Sequence, residues 1–217
     1  MDDTDPTGLE AAVVQDMQHW LERAVIGLNL CPFAKAVSTR GQIHYVVSPA
    51  TEPDQAEAAL RQELQALAGI DAAVRDTTLL MLPQCLSSFL EFNDFLDRAD
   101  RCLRDLDLEG VLQVASFHPQ FQFAGTAADD IGNFTNRAPY PTLHLLREAS
   151  VDRAVAAFPQ AESIYERNIE RLRSLGHAGW EQLGVRRSAP MPAAGAQRPA
   201  GPGAQGGRTG VPGGGAP

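Results

Sequence analysis

The chain has 217 residues, of which 27 are acidic and 18 basic, so its formal net charge is −9. This balance argues against a nucleic-acid-binding role, because contacts to phosphates need a basic surface. No apolar run is long enough for a transmembrane helix, and the acidic first residues do not resemble a signal peptide. Three cysteines without metal-type spacing are expected to be free thiols in the cytoplasm.

The predicted elements alternate between helix and strand along the chain. Apolar residues recur at helical spacing from about Leu9 to Leu30, where the nearby Pro32 disfavours further helix. This alternation is typical of an α/β domain, and we expect a small mixed four-stranded sheet with helices packed on it. The later elements are a strand at 43–47, a helix at 54–68, a strand at 77–82, a helix at 87–106, strands at 111–117 and 142–147, and helices at 150–158 and 162–175.

Composition divides the chain into three parts. Residues 1–15 form an acidic N-terminal extension and residues 16–183 a single α/β domain, followed by residues 184–217, which contain ten glycines, six prolines, four arginines and no acid. Such a segment has too little apolar surface to offset its ordering entropy, so we expect a disordered C-terminal tail. The alternative is that its arginines fold back on the acidic body.

Residues 118–141 form a long segment without regular periodicity. Loops of this length in compact domains are usually functional or disordered. Phe121, Phe123, Phe134 and Tyr140 need burial, which favours an ordered loop that builds a pocket.

Two histidines flank this loop. His118 lies at the predicted end of the third strand, where α/β sheets often bind ligands. His144 lies on the fourth strand between two leucines that should face the core. If the two imidazoles meet in space, they form a metal site or an acid–base pair. The alternative is that His118 caps a turn and His144 lies on a solvated strand face.

Other polar residues of this region suit metal or anion binding. Asp129 and Asp130 precede Gly132 and Asn133, a cluster of oxygen ligands suited to a divalent cation such as Mg²⁺. The alternative for this cluster is a turn held by Asx hydrogen bonds. Four side chains are expected to bind a carboxylate or phosphate or to orient the substrate, with an Arg fork as the main anion contact: Arg137, Asn133, Asn136 and Arg147.

Cys31 lies in a tight junction between the first helix and Lys35. A buried thiol on the apolar side of a helix is usually inert, and a helix C-terminus disfavours the thiolate. Lys35 would lower the pKa of the thiol, which makes a catalytic or ligand role the competing hypothesis.

Four segments resemble a bacterial family classed as domain of unknown function 1415. They are WLERAVIGLNLCPFAKAV (20–37), FNDFLDRAD (92–100), EGVLQVASFHPQFQFAGT (109–126) and NRAPYPTLHLLREASVDRAV (136–155). The resemblance extends over about residues 16–183. It implies a single-domain cytoplasmic bacterial protein without an established activity, and it assigns no catalytic residue.

The sequence lacks P-loop, dinucleotide-binding, zincin and nucleophile-elbow motifs. The leading hypothesis is therefore a cytoplasmic enzyme whose 118–141 pocket acts on a small anionic substrate by acid/base or metal-assisted chemistry. The alternative is a non-catalytic ligand- or haem-binding protein that uses Cys31 and a histidine.

Overall fold

A computed structural model describes residues 6–157 and 163–191. Each strand forms where the sequence pattern predicts it, within a residue at either end. The elements are, in order, α1 (Pro6–Trp20), a π-helix (Leu21–Ile26), α2 (Ala34–Thr39), β1 (Ile43–Val47), α3 (Pro53–Gly69), β2 (Thr77–Met81), α4 (Phe89–Asp105), β3 (Leu112–Phe117), a 3₁₀ helix (Ile131–Asn136), β4 (Thr142–Arg147), α5 (Glu148–Ala156) and α6 (Ile164–Gln182). No helix in these ranges combines the length and apolar character needed to cross a membrane.

The four strands form one sheet in the order β1-β2-β4-β3. β1 and β2 are parallel, and β4 lies between β2 and β3, antiparallel to both. The predicted fold class, a small mixed four-stranded sheet with packed helices, is therefore confirmed.

One face of the sheet is covered by α3 and α4. The helical stripe of α4 buries Phe92 and Phe95 against the leucines of α3. Below them lie Leu143 and Leu145, which occupy alternate positions of β4 and so point to the same face. This is the larger of the two apolar cores.

The opposite face is covered by α1. Met17 and Trp20 of α1 pack over Leu79 and Met81 of β2. All five residues of β2 are consequently buried, as the nearly continuous apolar run of this strand predicts.

The helical segments differ from the predictions at four places. One of them is α5, which begins at Glu148 with Arg147 as its N-cap and not at Ser150. Helical turns end at Ile26, earlier than the predicted Leu30, and Asn29 adopts a positive φ of 54°. The short helix α2 that follows was not predicted. α6 continues to Gln182 across a kink at Gly176, where φ is 65°, instead of ending at Leu175.

At both ends of the predicted domain, ordered structure continues into the flanking residues. Residues 6–15 belong to α1, where Val13 is fully buried, and do not form an extension. Residues 184–191, which were predicted to begin the tail, pack on the body, where Ala189 is only 5% exposed. The rest of the predicted extension and tail, residues 1–5 and 192–217, lies outside the described residues.

Candidate functional site

His118 is completely buried directly after β3. Its ring lies between Phe89 and Phe92 of α4, with ring centres 5.5 and 5.1 Å away. Nδ1 accepts a hydrogen bond from the backbone N–H of Gln120 at 3.0 Å, so Nε2 carries the proton and donates to the Leu86 carbonyl at 3.2 Å. Burial lowers the pKa of His118 to about 4. The imidazole is therefore neutral and both of its nitrogens are engaged, which matches the turn-capping alternative.

His144 is half-buried on the other face of the sheet. Thr77 donates its hydroxyl proton to the Leu145 carbonyl at 2.6 Å, so Nε2 of His144 donates to Thr77 Oγ1 at 2.7 Å. Burial lowers the pKa of His144 to about 4. His118 packs on α4, whereas His144 packs beside Phe117. The two histidines therefore do not form the pair that was considered for a metal or acid–base site, because the sheet separates them.

The acidic cluster of the loop forms turns. Asp130 Oδ1 accepts a 2.7 Å hydrogen bond from the Gly132 N–H, while Asp129 is exposed. Asn133 is buried and braces the loop by accepting from the Phe123 N–H at 3.0 Å and donating to the Ala127 carbonyl at 2.8 Å. Among residues 6–157 and 163–191, no group of three or more His, Cys, Asp or Glu side chains is placed to hold a metal ion. The geometry matches the Asx-turn alternative.

Asn136 and Arg147 also bind backbone carbonyls. Asn136 Nδ2 donates to the Ser116 carbonyl at 3.4 Å. Arg147 Nη2 donates to the Leu67 carbonyl at 2.7 Å and to the Arg75 carbonyl at 3.1 Å. Leu67 lies in the last turn of α3, where its carbonyl also accepts from the Ile70 N–H, so Arg147 adds a second hydrogen bond at the end of this helix. Both side chains connect parts of the fold.

Cys31 is a free thiol in the turn between the π-helix and α2. Burial raises its pKa, and the nearby backbone of Phe33 and Ala34 offsets this only partly. A raised pKa reduces the thiolate fraction that nucleophilic or metal chemistry requires. Neither of the two cavities described below is lined by Cys31 or by a histidine.

Arg137 follows the 3₁₀ helix and is half-buried. Its guanidinium donates from Nε to the Phe121 carbonyl at 3.1 Å and from Nη2 to the Ala128 carbonyl at 2.6 Å. The guanidinium carbon lies 4.4 Å from the centre of the Phe134 ring, a cation–π arrangement. Trp20 donates its indole N–H to the Arg137 carbonyl at 2.9 Å. Main-chain and side-chain contacts together hold this arginine in one orientation.

A cavity of about 200 Å³ lies beside Arg137. One wall comes from the 118–141 loop, as predicted, and the other from α6 and residues 185–187, which were not predicted. Phe134 and Trp180, whose ring centres are 4.9 Å apart, belong to these two walls. The described lining is Pro119, Phe134, Arg137, Ala138, Pro139, Trp180, Val185, Arg186 and Arg187, which includes three arginines and no carboxylate.

The arginines at 186 and 187 were missed because they lie in a segment whose composition predicts disorder. The signal that points to them is charge: a basic segment follows an acidic body, and fold-back was the alternative interpretation.

A second cavity, of about 390 Å³, lies between the turn at Asn29 and α6. Its α6 wall carries Arg167, Glu170 and Arg171, all exposed, and Asn168, which is buried and donates to the Leu30 carbonyl at 2.8 Å. The lining therefore combines both charges on an open surface.

Comparison with known proteins identifies a family but no activity. No curated protein and no solved structure matches the chain. The profile of a family described as "Protein of unknown function (DUF1415)" matches residues 12–182, which is most of the chain. The chain therefore belongs to the DUF1415 family.

Proposed function

We propose that this protein binds a small organic anion with a flat apolar part in the cavity beside Arg137. The observation that carries the proposal is the charge of the cavity: Arg137, Arg186 and Arg187 line it, and its described lining contains no acidic side chain. Like charges grouped without a counter-charge are unfavourable, and an anion bound among them removes that cost.

Arg137 suits the role of main anion contact. Its Nε and Nη2 are held by backbone carbonyls, and within the described chain Nη1 makes no hydrogen bond. Burial lowers the pKa of Arg137, because the charged form loses hydration, yet a guanidinium stays protonated at neutral pH. A partly dehydrated charge binds an anion more strongly than an exposed one does.

The aromatic walls and the volume define the rest of the ligand. Phe134 and Trp180 offer apolar surface for a ring or another flat group. The volume of about 200 Å³ lies below the roughly 300–1,000 Å³ of sites for drug-sized molecules, so the ligand must be small.

The lining favours binding over turnover. None of its nine described residues carries a carboxylate, an imidazole or a thiol that could transfer a proton or attack a substrate. His118, the expected acid–base residue, is engaged with backbone on both nitrogens. The non-catalytic alternative therefore has more support than the enzyme hypothesis. We propose it for an organic anion and not for a haem bound through Cys31.

The setting that we propose is the bacterial cytoplasm, with a small molecule as partner in preference to nucleic acid or a membrane surface. Three free cysteines suit a reducing compartment, and the net charge of −9 disfavours association with polyanions.

Phenyl phosphate is a suitable probe because it joins a flat ring to an anion. We expect calorimetry to detect its binding to the full chain, with little binding of phenol, which has the ring without the charge. Arg137→Gln and the double variant Arg186→Ala/Arg187→Ala should each raise the dissociation constant of phenyl phosphate by about tenfold or more. This is the effect expected from the loss of one charged contact.

Arg101→Ala is the matched control, since Arg101 is exposed on α4, on the far side of the sheet. It removes the same charge and should bind phenyl phosphate like the unmodified chain. Equal binding of phenol and phenyl phosphate, or unchanged affinity in all the cavity variants, would overturn the proposal.

A further inference from the structure

Residues 184–191, which we name the C-terminal strap, leave α6 at Gly184 and return across α1. Gly184 adopts a positive φ of 69°, a conformation that glycine accepts without strain and that turns the chain away from the helix. Val185 and Met191 pack against the apolar core under α1, and Ala189 is buried there. The strap is therefore a docked segment with its own contacts.

Asp16 of α1 is the polar anchor of the strap. Its Oδ2 atom accepts three hydrogen bonds: from the Tyr140 hydroxyl at 2.6 Å, from the Ser188 N–H at 2.7 Å and from the Ser188 hydroxyl at 2.8 Å. The Tyr140 oxygen in turn accepts from the Ala189 N–H at 3.0 Å. One carboxylate oxygen thus connects α1, the segment before β4 and the strap.

The same strap supplies one wall of the candidate cavity. Arg186 and Arg187, directly before Ser188 in the chain, line the cavity together with Arg137 of the body. Arg187 also donates from Nη1 to the Met191 sulfur at 3.0 Å, a contact within the strap. The two strap arginines therefore reach the cavity only while the strap is docked.

We propose that Asp16 is a positioning residue of the anion site: it holds the strap so that Arg186 and Arg187 complete the cavity, and a bound anion in turn holds the strap down. This inference rests on the proposed function, since it assumes that the cavity binds an anion. Asp16 is absent from the cavity lining and acts through the strap.

The coupling follows from charge and linkage. Arg186 and Arg187 line the same cavity as the cationic Arg137, and the Asp16 hydrogen bonds hold the strap that carries them. An anion bound among these arginines gains attraction from the docked strap, and it loses that attraction when the strap is released. Coupling between strap docking and ligand binding is reciprocal. A change that releases the strap must therefore weaken ligand binding, and a bound ligand must stabilise the docked strap.

The first test needs no ligand. Trypsin cleaves after arginine, so the rate of cleavage after Arg186 and Arg187 in the full chain, followed by mass spectrometry, reports on the undocked strap. We expect Asp16→Ala to accelerate this cleavage by about tenfold, and Ser188→Ala, which removes one of the donors from the strap side, to accelerate it less. Asp97→Ala, an exposed change on α4, is the matched control and should have no effect. Unchanged cleavage in both Asp16→Ala and Ser188→Ala would overturn the inference.

The second test is a double-mutant cycle with phenyl phosphate. Asp16→Ala should raise its dissociation constant by about tenfold if the docked fraction falls to about a tenth. Adding Arg186→Ala/Arg187→Ala to Asp16→Ala should then weaken binding by much less than the same pair does in the unmodified chain. Asp16→Asn, which keeps one acceptor oxygen, should restore part of the affinity.

The outcomes separate the two proposals. Phenyl phosphate affinity that depends on Arg137 but not on Asp16 would overturn the positioning role and leave the proposed function in place. The positioning role would also be overturned if the dissociation constant of the combined variant equalled the product of the two separate effects. Independent effects of Asp16→Ala and Arg186→Ala/Arg187→Ala would mean that Asp16 does not act through these arginines. If phenyl phosphate does not bind at all, both proposals fail, and the cleavage rates still show whether Asp16 anchors the strap.

Discussion

The guanidinium carbon of Arg137 lies 4.4 Å from the centre of the Phe134 ring, and its nitrogens bind two carbonyls of the same loop. The side chain that we propose as the main anion contact is therefore also a brace of the loop that forms the cavity wall. This double role sets what substitutions at Arg137 should do to stability as well as to binding.

Arg137→Lys should destabilise the fold by about 1–3 kcal/mol, because a lysine cannot replace a planar fork that reaches the Phe121 and Ala128 carbonyls together. Urea denaturation at pH 7 measures this difference in the free energy of unfolding. Arg101→Ala serves again as the exposed control and should remain within about 0.5 kcal/mol of the unmodified chain. A stability of Arg137→Lys equal to that of the control would contradict the bracing role.

Stability should fall as the pH is lowered from about 6.5 to about 4, the window between the ordinary histidine pKa and the folded pKa of His118. The unfolded chain binds a proton in this window and the folded chain does not, so acid favours unfolding. The contribution of His118 reaches about 3 kcal/mol at the acid end.

His118→Gln removes this titrating group, so its loss of stability between pH 7 and pH 4.5 should be smaller than that of the unmodified chain. Carboxylates titrate in both proteins and cancel in the comparison. Histidine NMR signals provide a direct check, since His118 should remain neutral at pH 6. A His118 signal that titrates near pH 6.5 would contradict the buried, fully bonded imidazole.

Removal of the strap should be costly. Truncation after Leu183 deletes the Ser188 and Ala189 hydrogen bonds and exposes the apolar surface that the strap covers, so we expect a loss of about 3 kcal/mol. The composition of this segment alone predicts a change within about 0.5 kcal/mol. Truncation after Met191 keeps every strap contact named above and is the matched control in thermal denaturation. Equal melting temperatures for the two truncations would show that the strap does not stabilise the body.

Glu63 of α3 forms an ion pair with Arg75, which lies just before β2, and neither residue lines the candidate cavity. Both side chains are nearly buried, and Arg75 also donates from Nε to Thr78 Oγ1 at 2.9 Å. Glu63→Ala leaves a buried charge without its carboxylate and should cost about 3 kcal/mol in urea denaturation. Glu109→Ala, an exposed change, should cost little. Phenyl phosphate binding should survive Glu63→Ala under conditions where the variant is folded.

Cys31 should react slowly with iodoacetamide in the folded protein. Burial raises the pKa of its thiol, so the thiolate fraction at pH 8 is low. We expect alkylation at least about tenfold slower than in the urea-unfolded chain, as measured by mass spectrometry of the Cys31 peptide. Rapid alkylation in the folded state would revive the catalytic or ligand hypothesis for this residue.

The sequence predicts the sheet well because strand and helix periodicity are local properties. The alternation of Leu143 and Leu145 with polar residues indicates a strand with one face in the apolar core. The continuous apolar run of β2 indicates a strand that is buried on both faces. The same patterns could not reveal α2 or the kink at Gly176. A six-residue helix has too few turns to show a periodic stripe, and the apolar spacing that follows Gly176 is short.

The candidate site was predicted only in part. The 118–141 loop does line a cavity with Arg137, since glycines, prolines and aromatic residues together indicate an ordered loop. Residue type alone did not predict the roles of the histidines and acidic residues in and beside this loop. His118 binds Leu86, which is 32 positions away, and that partner decides whether its nitrogens are free for chemistry.

The sequence by itself determined the fold class, the extent of the family match and the excess of acid in the body. Only the tertiary structure decided that His118 and His144 lie on opposite faces of the sheet, and that Asp16 holds Ser188, 172 positions along the chain. Periodicity specifies which side chains share a face of one element, but strand order and docking across long separations depend on which faces meet. The composition of residues 184–217, rich in glycine and proline, therefore predicts disorder. A few specific contacts, such as those between Asp16 and Ser188, nevertheless suffice to dock the first residues of this segment.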